Sequence, residues 1–288
     1  MPLPFSRPQG CSPLIWSASL LGLLLTAQAQ PLAAQEPAPE TNDRAWRVTL
    51  EPYGFAPLRT TGTTTIRGFE ADVDTSLGEL IPLIETVGSV RASVEKGRLG
   101  VLTDLYYVQI GDEIARTGPR GLLTGRVYQT AIQGLYDFAF RYRFGAPEGA
   151  IGTPGRFTVI PYAGVRLVKN QLDLAAVIEG QGPLALRLQK EGSWKRTWAQ
   201  PLLGTQASVF LTPGLRAFAR GDIGGFGLAG EQDLTGNAQV GLGVALGANT
   251  QLDLSWRYFG LDYSNGATRE TGLNVRQNGI ELGLKFFF

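Results

Sequence analysis

Leu234, Gly236, Ala238, Val240, Leu242, Val244 and Leu246 fall on one parity of the chain. Thr235, Asn237, Gln239, Gly241, Gly243 and Ala245 fall on the other. A period of two marks a strand with one apolar and one polar face. The alternation recurs in Leu252, Leu254, Trp256 and Tyr258 against Gln251, Asp253, Ser255 and Arg257. It recurs again in Tyr128, Ile132, Tyr136, Phe138, Phe140 and Tyr142 against Gln129, Gln133, Asp137 and Arg141. At the end of the sequence Ile280, Leu282, Leu284, Phe286 and Phe288 oppose Glu281, Gly283, Lys285 and Phe287. From residue 45 on, strands are expected near 45–57, 87–95, 99–111, 122–143, 157–172, 194–210, 215–227, 234–246, 251–261 and 275–288.

The connections extend the pattern. Lys96-Gly97-Arg98, Thr212-Pro213-Gly214 and Gly247-Ala248-Asn249-Thr250 read as tight hairpin turns. The other connections are longer, with a modest one at 228–233. Short turns at one end and longer loops at the other describe an all-β, transmembrane, antiparallel up-and-down β-barrel. About ten strands are expected, with eight or twelve as alternatives. Residues 58–70 are open to strand extensions and 170–193 to a protruding hairpin. An even count returns both ends of the barrel to the periplasmic side. In the first long connection Ser76-Leu77-Gly78-Glu79 has the spacing of a capping box. It predicts one short helix of about two turns, limited by Pro82. The helix is expected to cover a barrel mouth or enter the lumen, with an ordinary surface loop as the alternative.

Alternation alone leaves open which face meets water, since a soluble barrel turns the same two faces the other way. Composition decides. The chain has only five lysines, Lys96, Lys169, Lys190, Lys195 and Lys285. A face in bulk water usually carries many more Lys and Glu. The polar strand positions are Arg, Asp, Glu, Gln, Asn, Ser and Gly, which can satisfy one another in a confined interior. Aromatics gather at strand ends: Trp46, Tyr142, Phe144, Phe157, Phe210, Phe286 and Phe288. They are expected to form the membrane-interface girdle, with Trp46, Phe144, Phe157, Phe286 and Phe288 as its main members.

The N-terminus reads as a secretory signal over 1–29. Arg7 supplies the positive region, Leu14 to Thr26 the apolar run, and Ala27-Gln28-Ala29 the cleavage site. Residues 30–44 read as a flexible periplasmic lead-in, and 45–288 as the barrel domain. The predicted location is the bacterial outer membrane. Its lipids and lipopolysaccharide are the expected surroundings. Lys and Arg total 26 against 25 Asp and Glu, so charge predicts no nucleic-acid partner. Cys11, the single cysteine, lies in the leader, so no disulfide or Cys metal site is expected.

Two resemblances add to this. The terminal aromatic after alternating hydrophobics resembles the C-terminal signature by which outer-membrane barrels are recognised by the barrel assembly machinery. That machinery is the partner the resemblance implies. The second half of the chain resembles a family of uncharacterised bacterial outer-membrane barrel proteins. The carrying motifs are Trp198-Ala-Gln-Pro201-Leu-Leu-Gly204, Gly221-Asp222-Ile-Gly224-Gly225-Phe226-Gly227 and Trp256-Arg257-Tyr258-Phe-Gly-Leu-Asp262-Tyr263, with a weaker match over Leu99–Tyr107. This chain departs from the family pattern at Gln200, where an acidic residue is expected, and at Trp256, where Gly is usual. The resemblance implies fold and location, and no activity.

The chain contains no His. A general base that titrates near neutrality is most easily made from His. No catalytic residue, metal site or cofactor is therefore expected, and a His-independent enzyme stands as a remote alternative. Gly241-Leu-Gly243-Val-Ala-Leu-Gly247 mimics a dinucleotide fingerprint but keeps strand period throughout. Arg220-Gly221-Asp222 spells an adhesion tripeptide, yet alternation turns Arg220 and Asp222 inward. Glu70-Ala-Asp72-Val-Asp74 lacks full calcium-loop spacing.

The lumen remains as the candidate site. Parity sends Arg91, Glu95, Asp104, Gln133, Asp137, Arg141, Arg166, Arg220, Asp222, Asp253, Arg257, Glu281 and Lys285 into it, together with Gln129, Gln206 and Arg216. Ten strands enclose an interior only slightly wider than one that side chains fill. Mixed signs predict an ion-pair network that closes a narrow polar lumen and leaves a structural or surface-interaction role. A narrow passive channel for small solutes is the alternative.

Overall fold

A computed structural model describes residues 45–66, 69–117, 123–180, 187–267 and 271–288. The predicted leader and the lead-in at 30–44 lie outside the described residues. The strands are β1 (Trp46–Ile66), β2 (Phe69–Ser76), β3 (Ile84–Lys96), β4 (Leu99–Thr117), β5 (Leu123–Tyr142), β6 (Phe144–Gly145), β7 (Phe157–Gly180), β8 (Arg187–Thr212), β9 (Leu215–Gly224), β10 (Gln232–Ala245), β11 (Thr250–Ser264) and β12 (Gly272–Phe287). Each long strand pairs antiparallel with its neighbour, and β12 pairs with β1 from Thr49↔Phe287 to Thr65↔Gly272. Ten strands thus close a barrel. The short β2 folds back on the upper half of β1, and β6 pairs with the start of β7.

Closure fixes the fate of the two faces. Phe140, Leu254, Val240 and Leu282 stand outside and exposed, while Asp137, Arg257, Gln239 and Glu281 on the other parity are buried. A water-soluble fold would not place its buried charges at the centre and its exposed apolar side chains in a continuous belt. The architecture is that of an outer-membrane β-barrel. No described helix is long and apolar enough to span a membrane.

Several expectations shift in detail. The strands run further on the long-loop side than alternation indicates: β1 reaches Ile66, β4 Thr117 and β7 Gly180, and β8 begins at Arg187. Backbone pairing continues there although the clean alternation does not, as in Thr60–Thr65 and Arg187–Lys190, so the period of two is lost while the ladder is not. The hairpins at 58–76 and 170–193 are such extensions. The β9 strand stops at Gly224 rather than 227, because Gly225, Phe226 and Gly227 all have positive φ (108°, 60° and 72°) and turn the chain. The helix exists as Leu77–Leu80 (α1) followed by a 3₁₀ turn at Ile81–Leu83. The Glu79 carboxylate accepts from the Ser76 N–H and Oγ, both at 2.8 Å, as the capping box requires. Those two hydrogen bonds hold the Glu79 carboxyl below its ordinary range. No residue of either turn is buried, so the helix neither enters the lumen nor plugs it.

The main topological correction concerns residues 143–156. The lower end of the barrel carries Gly97-Arg98, Pro213-Gly214 and 246–249 as tight turns, and 143–156 belongs to that same end. One connection on the short-turn side is therefore long. It does not hang free. The Gly152 N–H donates to Pro213 O at 3.0 Å and the Gly155 N–H to Phe210 O at 2.8 Å. Phe210 itself is buried, not part of the girdle as its place near a strand end suggests. It lies on the inward parity of β8, and a Cβ added at Gly152 would sit 2.4 Å from its ring. The loop closes over Phe210 because position 152 has no side chain.

Candidate functional site

Most of the side chains that parity sends inward are buried in the interior, while Gln129, near the long-loop end, is exposed, and the interior separates into tiers. The lowest is built around Glu148 of the 143–156 loop. Its carboxylate accepts from Arg141 Nη2 at 2.5 Å, Lys285 Nζ at 3.1 Å and Gln206 Nε2 at 3.2 Å. Arg141 also reaches Ser93 Oγ at 2.6 Å and Glu95 at 3.4 Å. Glu95 takes Arg143 Nε at 2.9 Å, and Arg143 spends its other donors on the Gly145 and Gly97 carbonyls. Arg216 lies 3.7 Å from Asp253 and over the buried Phe287 ring. The loop thus enters from the short-turn end and stoppers it with a carboxylate.

The middle tier is a closed ring of charge-assisted bonds. Arg91 donates to Asp104 at 3.0 Å, Glu51 at 3.0 Å and Glu281 at 3.4 Å. Asp104 takes Arg220 Nη1 at 2.8 Å and the Tyr53 hydroxyl at 2.7 Å. Arg220 Nε donates to the Tyr162 hydroxyl, which donates to Asp222 at 3.1 Å. Asn237 links Asp222 (3.0 Å) to Arg257 (2.8 Å), and Arg257 returns to Glu281 at 2.8 Å. Arg166 joins this ring, bidentate on Asp137 at 2.7 Å and 2.7 Å and 2.8 Å from Asp222. Its remaining donor meets Thr235 Oγ1, which donates to Gln200 Oε1. Through Gln200 on β8, all ten barrel strands feed one network. Burying this many ions costs several kcal/mol each unless lone pairs and protons are met. Here they are met by fork geometry and by amides.

Glycine makes the room. A Cβ on Gly204 would sit 2.3 Å from the Tyr162 ring, and one on Gly243 1.9 Å from the Gln251 amide. Gly241, whose Cβ would sit 2.5 Å from the Ser255 side chain, and Gly243 are thus explained by lumen packing, while Gly247 lies in the turn that follows β10. The cavity left between the two lower tiers is about 30 Å³, bordered by Glu51, Gln239, Asp253, Arg216 and Lys285. That is room for one or two waters.

The third tier was not legible as such. Above the ring, Tyr53, Phe55, Tyr106, Leu135, Val168, Trp198, Phe259, Leu261 and Tyr263 form one apolar cluster inside the barrel. The lumen is therefore not an unbroken polar channel. Over this tier the 225–231 turn is tied down. Asp233 accepts from the Trp198 indole at 3.0 Å, from the Gln200 amide, and from the Ala229 N–H at 3.2 Å. Gln200 stands where the family pattern expects an acid, and an amide is the group that can donate to the buried Asp233. Arg196 caps the Tyr263 ring at 4.9 Å.

Of the thirteen main lumen residues expected, twelve join ion pairs or hydrogen bonds in the network. Gln133 is inward but half-buried, above the ring. Arg220 and Asp222 are buried, which removes their tripeptide as an adhesion site. Glu51, Tyr53, Arg143, Glu148, Tyr162 and Asp233 were missed. Glu51 and Tyr53 share the parity of Phe55 in β1, and that signal could have found them. Glu148 carries no period at all. Among the described residues no group of acids is arranged to hold a metal. The Asp74 carboxylate pairs with Arg59 at 2.7 Å and 2.9 Å instead. Of the expected girdle, Trp46, Phe144, Phe157 and Phe288 stand exposed and Phe286 half-exposed.

No protein-family model matches the chain, and no curated protein matches it. Solved structures do, at low similarity. The outer membrane protease OmpT from Escherichia coli is 8% identical with a TM-score of 0.49, over 85% of this chain and 97% of that one. Neisserial surface protein A is 13% identical with a TM-score of 0.26, over 84% and 96%. The Pseudomonas putida toluene transporter TodX is 10% identical with a TM-score of 0.29, over 84% and 89%. Scores in this range carry no functional argument, and the fold rests on the strand register described above.

Proposed function

We propose that the chain is an integral protein of the bacterial outer membrane, exported by a cleaved leader, with a sealed lumen and no catalytic role. Its task on this reading is structural or surface-interacting. One observation carries it: three closures lie in series along one narrow barrel. The Glu148 stopper, the ion-pair ring and the apolar cluster each fill the cross-section, and the space between the two lower closures holds one or two waters. A conducting pore needs a continuous wet path lined by one class of charge. Here carboxylates and cations neutralise one another. The lumen carboxylates of the ring are occupied by cations and amides, and the sequence offers no His to serve as a base. The outer lipids and lipopolysaccharide surround the apolar belt, and the strand ending in Phe288 is the segment offered to the barrel assembly machinery.

Single-channel recording of the refolded chain in a planar bilayer tests this. A silent bilayer with verified folded insertion is the expected result. Discrete, reproducible steps would replace it with the narrow-channel reading.

A further inference from the structure

Arg216 differs from the other arginines buried in the lumen. Arg166, Arg220 and Arg257 each donate at least two hydrogen bonds to side chains of the ring. The Arg216 guanidinium is as deeply buried, at 3% exposure, yet its Nε has no acceptor among the described residues. The carboxylate nearest to it, Asp253, stands 3.7 Å from Nη2, beyond hydrogen-bond reach. The strand register explains this. Arg216 on β9 pairs with Gly243 on β10, and Gly243 pairs with Asp253 on β11. The guanidinium leans across the glycine toward Asp253 and stops short, while Asp253 takes the Gln251 amide instead. The Phe287 ring, 5.9 Å away, covers it without offering an acceptor.

A guanidinium carries five N–H donors and no acceptor, so only an acceptor can satisfy it. Arg216 borders the cavity of about 30 Å³ between the two lower tiers. Lys285 borders it too, with one hydrogen bond to Glu148 at 3.1 Å and a looser approach to Glu51 at 3.7 Å. Four cations face this space, Arg91, Arg216, Arg220 and Lys285, against three carboxylates, Glu51, Glu148 and Asp253. One positive charge is in excess where burial makes an uncompensated charge costly. The sign excludes a metal cation. A water accepts from Arg216 but leaves the charge. A dianion reverses the excess. A monovalent anion meets both the donors and the charge, and a space sized for one or two waters limits it to a small one.

We propose that this cavity is a binding site for one small monovalent inorganic anion, a halide such as chloride, held by Arg216 and Lys285. Bound there, the anion accepts from a guanidinium delivered by β9 and from the ammonium on β12 that already holds Glu148. It therefore ties two strands to the 143–156 loop and locks the stopper in place. The site goes beyond the sealed-lumen reading and does not depend on it.

The test is equilibrium urea unfolding of the refolded chain in neutral detergent micelles, at fixed sodium concentration, with chloride replacing gluconate. An anion that binds only the folded barrel lowers the unfolding equilibrium constant as its concentration rises, and a fall of about tenfold is expected by about 0.2 M chloride. Arg216→Met removes both the donors and the excess charge, so its stability is expected to be the same in either salt. A second reading needs no variant: anomalous scattering from crystals of the unaltered chain grown in sodium bromide. One peak is expected in the cavity, within hydrogen-bond reach of Arg216 and Lys285. Equal stability of the unaltered chain in chloride and gluconate, with no peak in the cavity, refutes the site and leaves water to meet Arg216. An equal chloride effect in the unaltered chain and in Arg216→Met also refutes it, because the salt then acts on the fold as a whole. Bromide found on exposed cations alone is an adventitious ion only and overturns the proposal as well. Current steps in a planar bilayer would end the sealed-lumen reading without touching this one.

Discussion

Asp104 is the node on which the ring depends, and Asp104→Asn is the sharpest perturbation of it. The carboxylate accepts from Arg91, Arg220 and Tyr53. An Asn keeps the shape, removes the charge and turns one acceptor into a donor aimed at donors. The two arginines then fare differently. Arg91 keeps Glu51 at 3.0 Å and Glu281 at 3.4 Å. Arg220 keeps only Asp222, at 3.7 Å, and the Tyr162 hydroxyl. A cation with 4% of its side chain exposed is left under-compensated. Breaking a buried pair on one side costs about 3–5 kcal/mol. The assay is equilibrium urea unfolding of the refolded barrel in lipid vesicles, for Asp104→Asn, Arg220→Met and the double variant. Arg220→Met takes away the stranded charge, so the double variant is expected to recover about 1–3 kcal/mol of coupling. The exposed Arg59–Asp74 pair has comparable distances but both partners in solvent, and Asp74→Asn is expected to cause no measurable change. If Asp104→Asn costs less than about 1 kcal/mol, or the two single effects add without coupling, the ring is a geometric coincidence rather than the structural centre of the lumen.

Other outcomes follow from the same geometry. Gly204→Ala places a methyl against the Tyr162 ring and is expected to lower stability by about 1–3 kcal/mol in the same unfolding assay. Gly221→Ala, whose Cβ would meet only Asn237 O at 3.7 Å, is expected to stay within about 0.5 kcal/mol. Glu79 has a depressed pKa, so its contribution to the Ser76 cap is present above the ordinary glutamate value and is lost as pH falls through the lower folded one. Hydrogen exchange of the 77–83 amides should therefore lose protection on acidification, and Glu79→Gln should flatten that pH response. Phe288 is 72% exposed, so Phe288→Ala is expected to leave the refolded stability unchanged while lowering assembly into the outer membrane of cells. Equal yields in fractionated membranes would refute the role given to the terminal aromatic.

What could be read from the sequence follows from where the period of two has a physical cause. In the belt, one face meets hydrocarbon and the other a polar interior. Parity is enforced there, and Asp137, Arg257 and Glu281 could be assigned inward without a structure. Above the belt both faces are wet. Thr60 to Thr65 and Arg187 to Lys190 pair as regularly as any strand, yet show no alternation, and so strand ends were placed short. Parity also says in or out, but not at what height. On β4 and β5 only the strand register shows that Asp104 lies level with Asp137 and Tyr106 with Leu135, while Val108 lies level with Gln133. The ionic ring and the aromatic tier are both products of that register. Glu148 lay furthest from reach. Its loop has no repeat, and only the unusual length of 143–156 at the short-turn end marked it. A long connection where short ones suffice has to earn its conformational entropy through contacts, and in this barrel it does so by carrying a carboxylate to Arg141, Gln206 and Lys285.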